Sequence, residues 1–316
     1  MPAPLCPIAA DARPFDLLGL GQISLDRVAS VERLPAPGGK ATLRGERELP
    51  GGQVATALLA ATRLGLRCAL VGAVGGDAAG ERSLSPLREA GVDLRGVVRI
   101  PSVPTRQAWV LVENESGERT IFERRDPRLR IDPRHLDARA LESARVLLLD
   151  LEHPEASQQA AERARSAGIP VILDADRVSP AALRLVAEVD FPIVSESFAE
   201  EFSSDASLED KLRALAGPNT RMAVVTRGAR GSLAWRAGRI VRTSAPQVAA
   251  VDTTGAGDVF RGAFAWALLQ GMDAERVLWA ANAAAASSCR GEGAQGALPG
   301  RDELEASLQG GRTWRA

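Results

Sequence analysis

Val251-Asp252-Thr253-Thr254-Gly255-Ala256-Gly257-Asp258-Val259-Phe260 runs straight into Ala263, Phe264, Ala267 and Leu268, an apolar stripe at helical spacing that ends near Gly271. Three small residues at 255 to 257 let backbone amides converge on one point. That point is a helix N-terminus, where unpaired N–H groups and the macrodipole favour an anion. Asp258, in the first turn, faces the same place. A carboxylate beside an anion-binding cluster of amides is the arrangement that phosphoryl transfer needs. The amides stabilise charge on the transferred group, and the carboxylate accepts the proton of an attacking hydroxyl. An N-capping Asp after a Gly-rich turn explains a lone Gly-x-Gly-Asp as well; the ten-residue string is more specific than that.

Outward from this string, short apolar runs alternate with helical patterns. Phe15–Leu20, Cys68–Val74, Val146–Leu149, Val171–Leu173, Ile193–Val194 and Ala223–Thr226 read as strands buried on both faces. Val54, Ala57, Leu58, Ala61 and Leu64 mark a helix stopped by Gly65. Further helices follow His153-Pro154 to about Ala167, cover about Leu208 to Ala216, and run from Glu275 to Ser287. The alternation predicts an α/β chain with a mostly parallel sheet. Two segments break it. Leu34 to Pro50 is rich in Gly, Pro and charge. Val97 to Glu123 reads as a β-hairpin turning at Asn114 to Gly117. Together they suggest a small separate sheet, and no repeat or clear linker divides the chain.

Composition excludes several classes. The 316 residues are 45% hydrophobic and 25% charged, with 39 Lys+Arg against 40 Asp+Glu. A balance this near zero argues against a non-specific nucleic-acid binder and against disorder. No run of about 18 apolar residues predicts a membrane span. Met1 to Phe15 lacks the pattern of a secretory signal, so a cytoplasmic protein is expected. Cys6, Cys68 and Cys289 have no CxxC spacing, which favours reduced, non-catalytic thiols. No GxSxG elbow is present, and neither Lys40 nor Lys211 stands in a P-loop.

The Asp252–Phe260 string resembles the C-terminal signature of the ribokinase-like, or PfkB-type, carbohydrate kinase family. Pro50-Gly51-Gly52-Gln53-Val54-Ala55-Thr56-Ala57 with Ala61-Thr62-Arg63-Leu64-Gly65 resembles its N-terminal signature. The likeness continues through Val71 to Asp77, Gly91-Val92-Asp93, Thr226-Arg227-Gly228 with Gly231, and Ala281-Asn282-Ala283, in the family's order. It implies one ribokinase-like domain over residues 1–316, a three-layer α/β/α fold with a small β lid from insertions at about 37–50 and 98–124. It implies an ATP-dependent sugar kinase using Mg²⁺, and a homodimer formed through the lid. By the same resemblance Asp258 matches the base, and Gly255, Ala256 and Gly257 the anion hole. Asp26, Gly51, Gly52, Gln53, Glu152 and Arg106 match or lie near the sugar-binding positions. Ser195, Thr226, Gly228, Gly231 and Asn282 match positions around ATP. Asp252 and Thr254 resemble residues near a monovalent-cation site, which K⁺ would occupy.

The chain departs from the family in two places. Where members often carry Asn-x-x-Glu for magnesium, it has Ser195-Glu196-Ser197-Phe198, which leaves Glu196 to supply the carboxylate and is closer to the ketohexokinase-type branch. Gln53 and Thr56 replace the Lys and Asn of ribokinases, which disfavours ribose and favours a ketose or modified hexose. Arg119, Arg124, Arg125, Arg128, Arg130 and Arg134 crowd the end of the hairpin. They read as a solvated charged face or, with Arg106, as donors to an anionic substituent of the substrate. A nucleoside kinase of the same fold and a non-catalytic sugar-binding regulator stay open. The 4% aromatic content without Tyr weighs against the first, and an intact Gly-Ala-Gly-Asp against the second.

Overall fold

A computed structural model describes residues 4–6, 8, 13–115 and 119–310. Most of the N-terminal segment read for a signal, and residues 116–118 of the hairpin turn, lie outside the described residues. The strands are β1 (Phe15–Leu20), β2 (Ser24–Val31), β3 (Arg44–Gly51), β4 (Cys68–Gly75), β5 (Asp93–Ile100), β6 (Gln107–Glu113), β7 (Arg119–Arg124), β8 (Ala144–Leu149), β9 (Val171–Ala175), β10 (Phe191–Ser195), β11 (Ala223–Thr226), β12 (Ser232–Arg236) and β13 (Arg239–Thr243). The α-helices are α1 (Gln53–Arg63), α2 (Ala78–Glu89), α3 (Ala138–Glu142), α4 (Pro154–Ser166), α5 (Pro180–Glu188), α6 (Glu196–Phe202), α7 (Leu208–Leu215), α8 (Ala256–Leu269), α9 (Ala274–Ser288) and α10 (Arg301–Gly310).

Nine strands form the large sheet in the order β13-β12-β11-β10-β9-β8-β1-β4-β5. Every pair from β5 to β11 is parallel, and β12 and β13 extend it antiparallel. The apolar strands serve two cores at once. Leu17, Leu70, Val146, Leu148, Ile172 and Ile193 pack with α1, α8 and α9. Leu18, Leu20, Leu147, Leu149, Leu173 and Val194 pack with helices α3 to α7 on the other face. Burial on both faces is why these runs are continuously apolar. The three-layer α/β/α fold expected from the sequence is the one observed.

Three strands of the large sheet lacked a legible signal. β5 is an edge strand carrying Arg95 and Arg99. β12 and β13 form a hairpin whose residues alternate with charge, turning at Ala237 and Gly238 with positive φ. The small sheet has the order β3-β2-β6-β7. Here the expected boundaries need correction. β2 supplies a central strand outside both predicted insertions, because Asp26 and Arg27 interrupt its apolar pattern. Residues through Ile100 complete β5, so the second insertion contributes strands only from Gln107. Among the described residues no helix is long and apolar enough to cross a membrane.

α8 presses its apolar stripe onto the sheet, with Phe264 fully buried and its ring 5.5 Å from Phe191 of β10, edge to face. Phe264→Ala should lower unfolding stability by about 3–5 kcal/mol through lost burial and a residual cavity, read from chemical denaturation.

Candidate active site

The turn before α8 is held by backbone and carboxylate ties. The Asp252 carboxylate accepts from Thr254 N at 2.8 Å, Thr254 Oγ1 at 2.7 Å and Gly293 N at 2.9 Å. Val251 N and Asp252 N both donate to the Cys289 carbonyl at the end of α9. Gly255 takes φ +74°, and a Cβ there would lie 2.6 Å from that of Ala294. The first turn of α8 therefore starts from a left-handed glycine packed against the 293–295 loop.

Asp258, in that first turn, is half-buried among other carboxylates. Burial pushes its pKa well above the usual range; Asp174 pushes it further, Arg261 opposes, and Asp150 and Asp176 add to the rise. Asp150 follows β8 and is fully buried. Its oxygens accept from Gln22 N at 2.7 Å and Glu152 N at 2.9 Å, yet burial still raises its pKa to about 7. Asp174, on β9, is raised to about 6 by burial, against the pull of Arg261. These groups sit at the carboxyl ends of parallel strands, where open α/β sheets bind ligands.

On the other side of Asp150 lies a second group. Asp26 of β2 accepts from Ser24 Oγ at 3.0 Å, and burial raises its pKa. Gly51 stands beside it: a Cβ there would be 2.6 Å from Asp26 Oδ2. Gly52 takes φ +106°, and a Cβ there would clash with the Gln22 carbonyl oxygen at 2.4 Å. Gln53 is half-buried at the start of α1, whereas Thr56 is fully buried and accepts from Gln295 Nε2 at 3.4 Å.

Arg106, 7% exposed, donates through Nη1 to Glu152 Oε2 at 2.8 Å and through Nη2 to Glu123. Arg125 also donates to Glu152. Arg106 is thus committed to two carboxylates and fixes Glu152. Two of the six expected arginines pair with near neighbours in sequence, Arg128 with Asp126 and Arg134 with Asp132; the Arg119 side chain lies outside the described residues.

A residue with no sequence signal sets the Arg106 backbone. Thr105 donates to Asp77 through its N–H at 3.0 Å and its hydroxyl at 2.5 Å, and its Oγ1 accepts from Gly75 N at 2.9 Å. The Gly75-Gly76-Asp77 match is structural: it fastens the chain entering β6 to the end of β4. His153 was equally silent. It is 3% exposed, neither ring nitrogen has a partner, and burial, then Arg125 and Arg106, lower its pKa to about 4.

Four of the residues expected around ATP line a cavity of about 350 Å³: Thr226, Gly228, Gly231 and Asn282, with Ala256 and Gly257 from the start of α8. Asn282 Nδ2 donates to Ser232 Oγ at 2.9 Å and to the Thr243 carbonyl at 3.3 Å, which ties α9 to β12 and β13. Ser195 caps α6 by accepting from Phe198 N at 3.1 Å. Glu196, expected at magnesium, is instead ion-paired with Arg227 and Arg230. Among the described residues no group of three or more His, Cys, Asp or Glu could hold a metal.

Known proteins with the same architecture exist. The family described as pfkB family carbohydrate kinase matches residues 16–301. An ATP-dependent ribose-1-phosphate kinase of Halopiger xanaduensis is 31% identical over 299 residues, 92% of this chain and 97% of the relative. A nucleoside kinase of Methanothermobacter thermautotrophicus is 28% identical, over 91% of this chain and 94% of the relative. The structure of Arabidopsis thaliana ribokinase complexed with ribose and ATP superposes with a TM-score of 0.80 at 26% identity, covering 93% of this chain and 99% of that one.

The contact between Gly51 and Asp26 can be tested directly. Gly51→Ala would displace the Asp26 carboxylate, and KM for the hydroxyl-bearing substrate should rise at least about tenfold, a loss of one or two hydrogen bonds to a charged group. KM for ATP should stay unchanged in the same steady-state assay.

Proposed function

Because the chain belongs to the pfkB family of carbohydrate kinases, phosphotransferases with an alcohol group as acceptor, we propose that it moves the γ-phosphate of ATP to a sugar hydroxyl with Asp258 as base. One observation carries this reading: the cavity of about 350 Å³ ends on the N-terminus of α8, with Asp258 in the turn beside it. That volume suits a small-molecule site. Its small lining residues leave room for a flat base, and the amides at 255–257 face the phosphate end. Burial and three neighbouring carboxylates give Asp258 a high proton affinity, which suits a group that must take a proton from an alcohol. Asp26 and Glu152 would accept the remaining hydroxyls, with Gly51 and Gly52 letting the backbone approach and Gln53 at the rim.

Magnesium, when bound, neutralises the phosphates. With Glu196 in ion pairs and no protein cage among the described residues, the side chains suit an ion held mainly by phosphate oxygens and water. Potassium fits less well, because the Asp252 carboxylate already accepts three hydrogen bonds from Thr254 and Gly293. Gln53 and Thr56 support a ketose or modified hexose over ribose. Self-association would use the small sheet, whose Ile121 and Phe122 are more than half exposed. The relative named as a nucleoside kinase keeps nucleosides as the second acceptor class.

Two measurements test this. A coupled ADP-release screen over ketoses, aldoses, sugar acids, sugar phosphates and nucleosides should give its highest kcat/KM with a ketose or modified hexose; ribose at the top would reject that specificity. Asp258→Asn keeps the shape and the capping ability of the side chain but cannot act as a base. Its kcat should fall at least about 10²-fold, with ATP affinity and Tm little changed. A near-normal kcat would reject the assigned base.

A further inference from the structure

Arg261 lies one turn along α8 from Asp258, and the reaction described above makes no use of it. The side chain is 4% exposed and that of its partner Asp174 3%. Nη2 stands 2.7 Å from Asp174 Oδ1 and donates to the Ile193 carbonyl at 3.2 Å, so the guanidinium bridges α8 to β9 and β10. Nη1 fills the space beside Gly257, where a Cβ would lie 2.7 Å from it. A buried ion pair is costly to desolvate, and apolar packing would tie helix to sheet at least as well. The charge therefore calls for a use. The ionisable groups acting on Asp258 are Asp150 beyond β8, Asp174 and Asp176 on and after β9, and Arg261 on its own helix. Three are carboxyl groups that disfavour a further negative charge, and Arg261 is the cation among these groups of the described residues.

We infer that Arg261 is a positioning residue for phosphoryl transfer: anchored by Asp174 and the Ile193 carbonyl, it favours the ionised form of Asp258 and seats the first turn of α8 on the sheet. Arginine suits the task because it keeps its charge and its planar head lets Nη2 meet both acceptors while Nη1 fills the space beside Gly257. Without it, the neighbouring carboxylates favour the protonated acid, which cannot receive the proton of a hydroxyl. The inference rests on the reading of Asp258 as base, and the two can fail separately.

The readout is the acid limb of the pH–kcat profile. In Arg261→Met the limb should move alkaline by about one pH unit, equivalent to about a tenfold loss of kcat on the acid side, with recovery at alkaline pH. KM for ATP should change little. Arg261→Lys keeps a cation and should return part of the shift. Asp174→Asn removes an anion and should move the limb the opposite way, towards acid. That second variant carries the test if Arg261→Met, which strands a buried Asp174, does not fold. A limb unmoved by Asp174→Asn, or a loss in Arg261→Met that is equal at every pH, overturns the inference. If Asp258→Asn is inactive while the limb stays put, this inference alone fails. If Asp258→Asn retains full activity, the base reading fails and this one with it.

Discussion

A half-buried carboxylate set among other acids at the start of a helix constrains the whole site. Parallel strands end on one edge of a sheet, so acids that follow them converge: Asp150 after β8 and Asp174 and Asp176 at the end of β9 all bear on Asp258. Left alone, such a group of acids would hold protons rather than accept them. Two features oppose this, the positive end of α8 and the buried Arg261 guanidinium. The fold supplies both from one helix, whose apolar stripe is fixed in the core by Phe264 and Val259.

The opposite wall of the cleft is built from a different balance. Its acids, Glu152 and Glu123, are met by guanidiniums from three places in the chain, Arg106, Arg125 and Arg177. Asp26 is approached by the Cβ-less edge of Gly51 instead. Part of this wall is thus charge-paired, and part is a strand that backbone approaches with no Cβ between them.

The sequence disclosed the parts whose signal is local. The Gly255–Asp258 turn, the strands buried on both faces and the helices stopped by Gly65 and Gly168 could each be read from neighbours in the chain. Pairings between distant segments left no such mark. Arg261 is one more helical residue until β9 places Asp174 beneath it, and Thr105 is a loop hydroxyl until α2 turns Asp77 towards it. Edge strands fared worst, because one exposed face lets charge interrupt the apolar pattern of β5 and β13. The arginine-rich stretch drew attention by its density, but only its fold neighbours distinguish Arg125, which clamps Glu152, from Arg128, which pairs two residues away.

The short loop after α9 touches both halves of the cleft. Gly293 donates to Asp252, which shapes the turn before α8, and it also abuts Leu49 of β3 in the small sheet. Gln295 then reaches Thr56 on α1, the helix that follows Gly51 and Gly52. The turn before α8 and the start of α1, and any ligands held at each, therefore share one loop. Any free energy that one of them supplies in ordering this loop is free energy the other need not supply, and such coupling is equal in both directions. A loop that joins the two sides in this way gives any pair of ligands held there a physical route to bind synergistically.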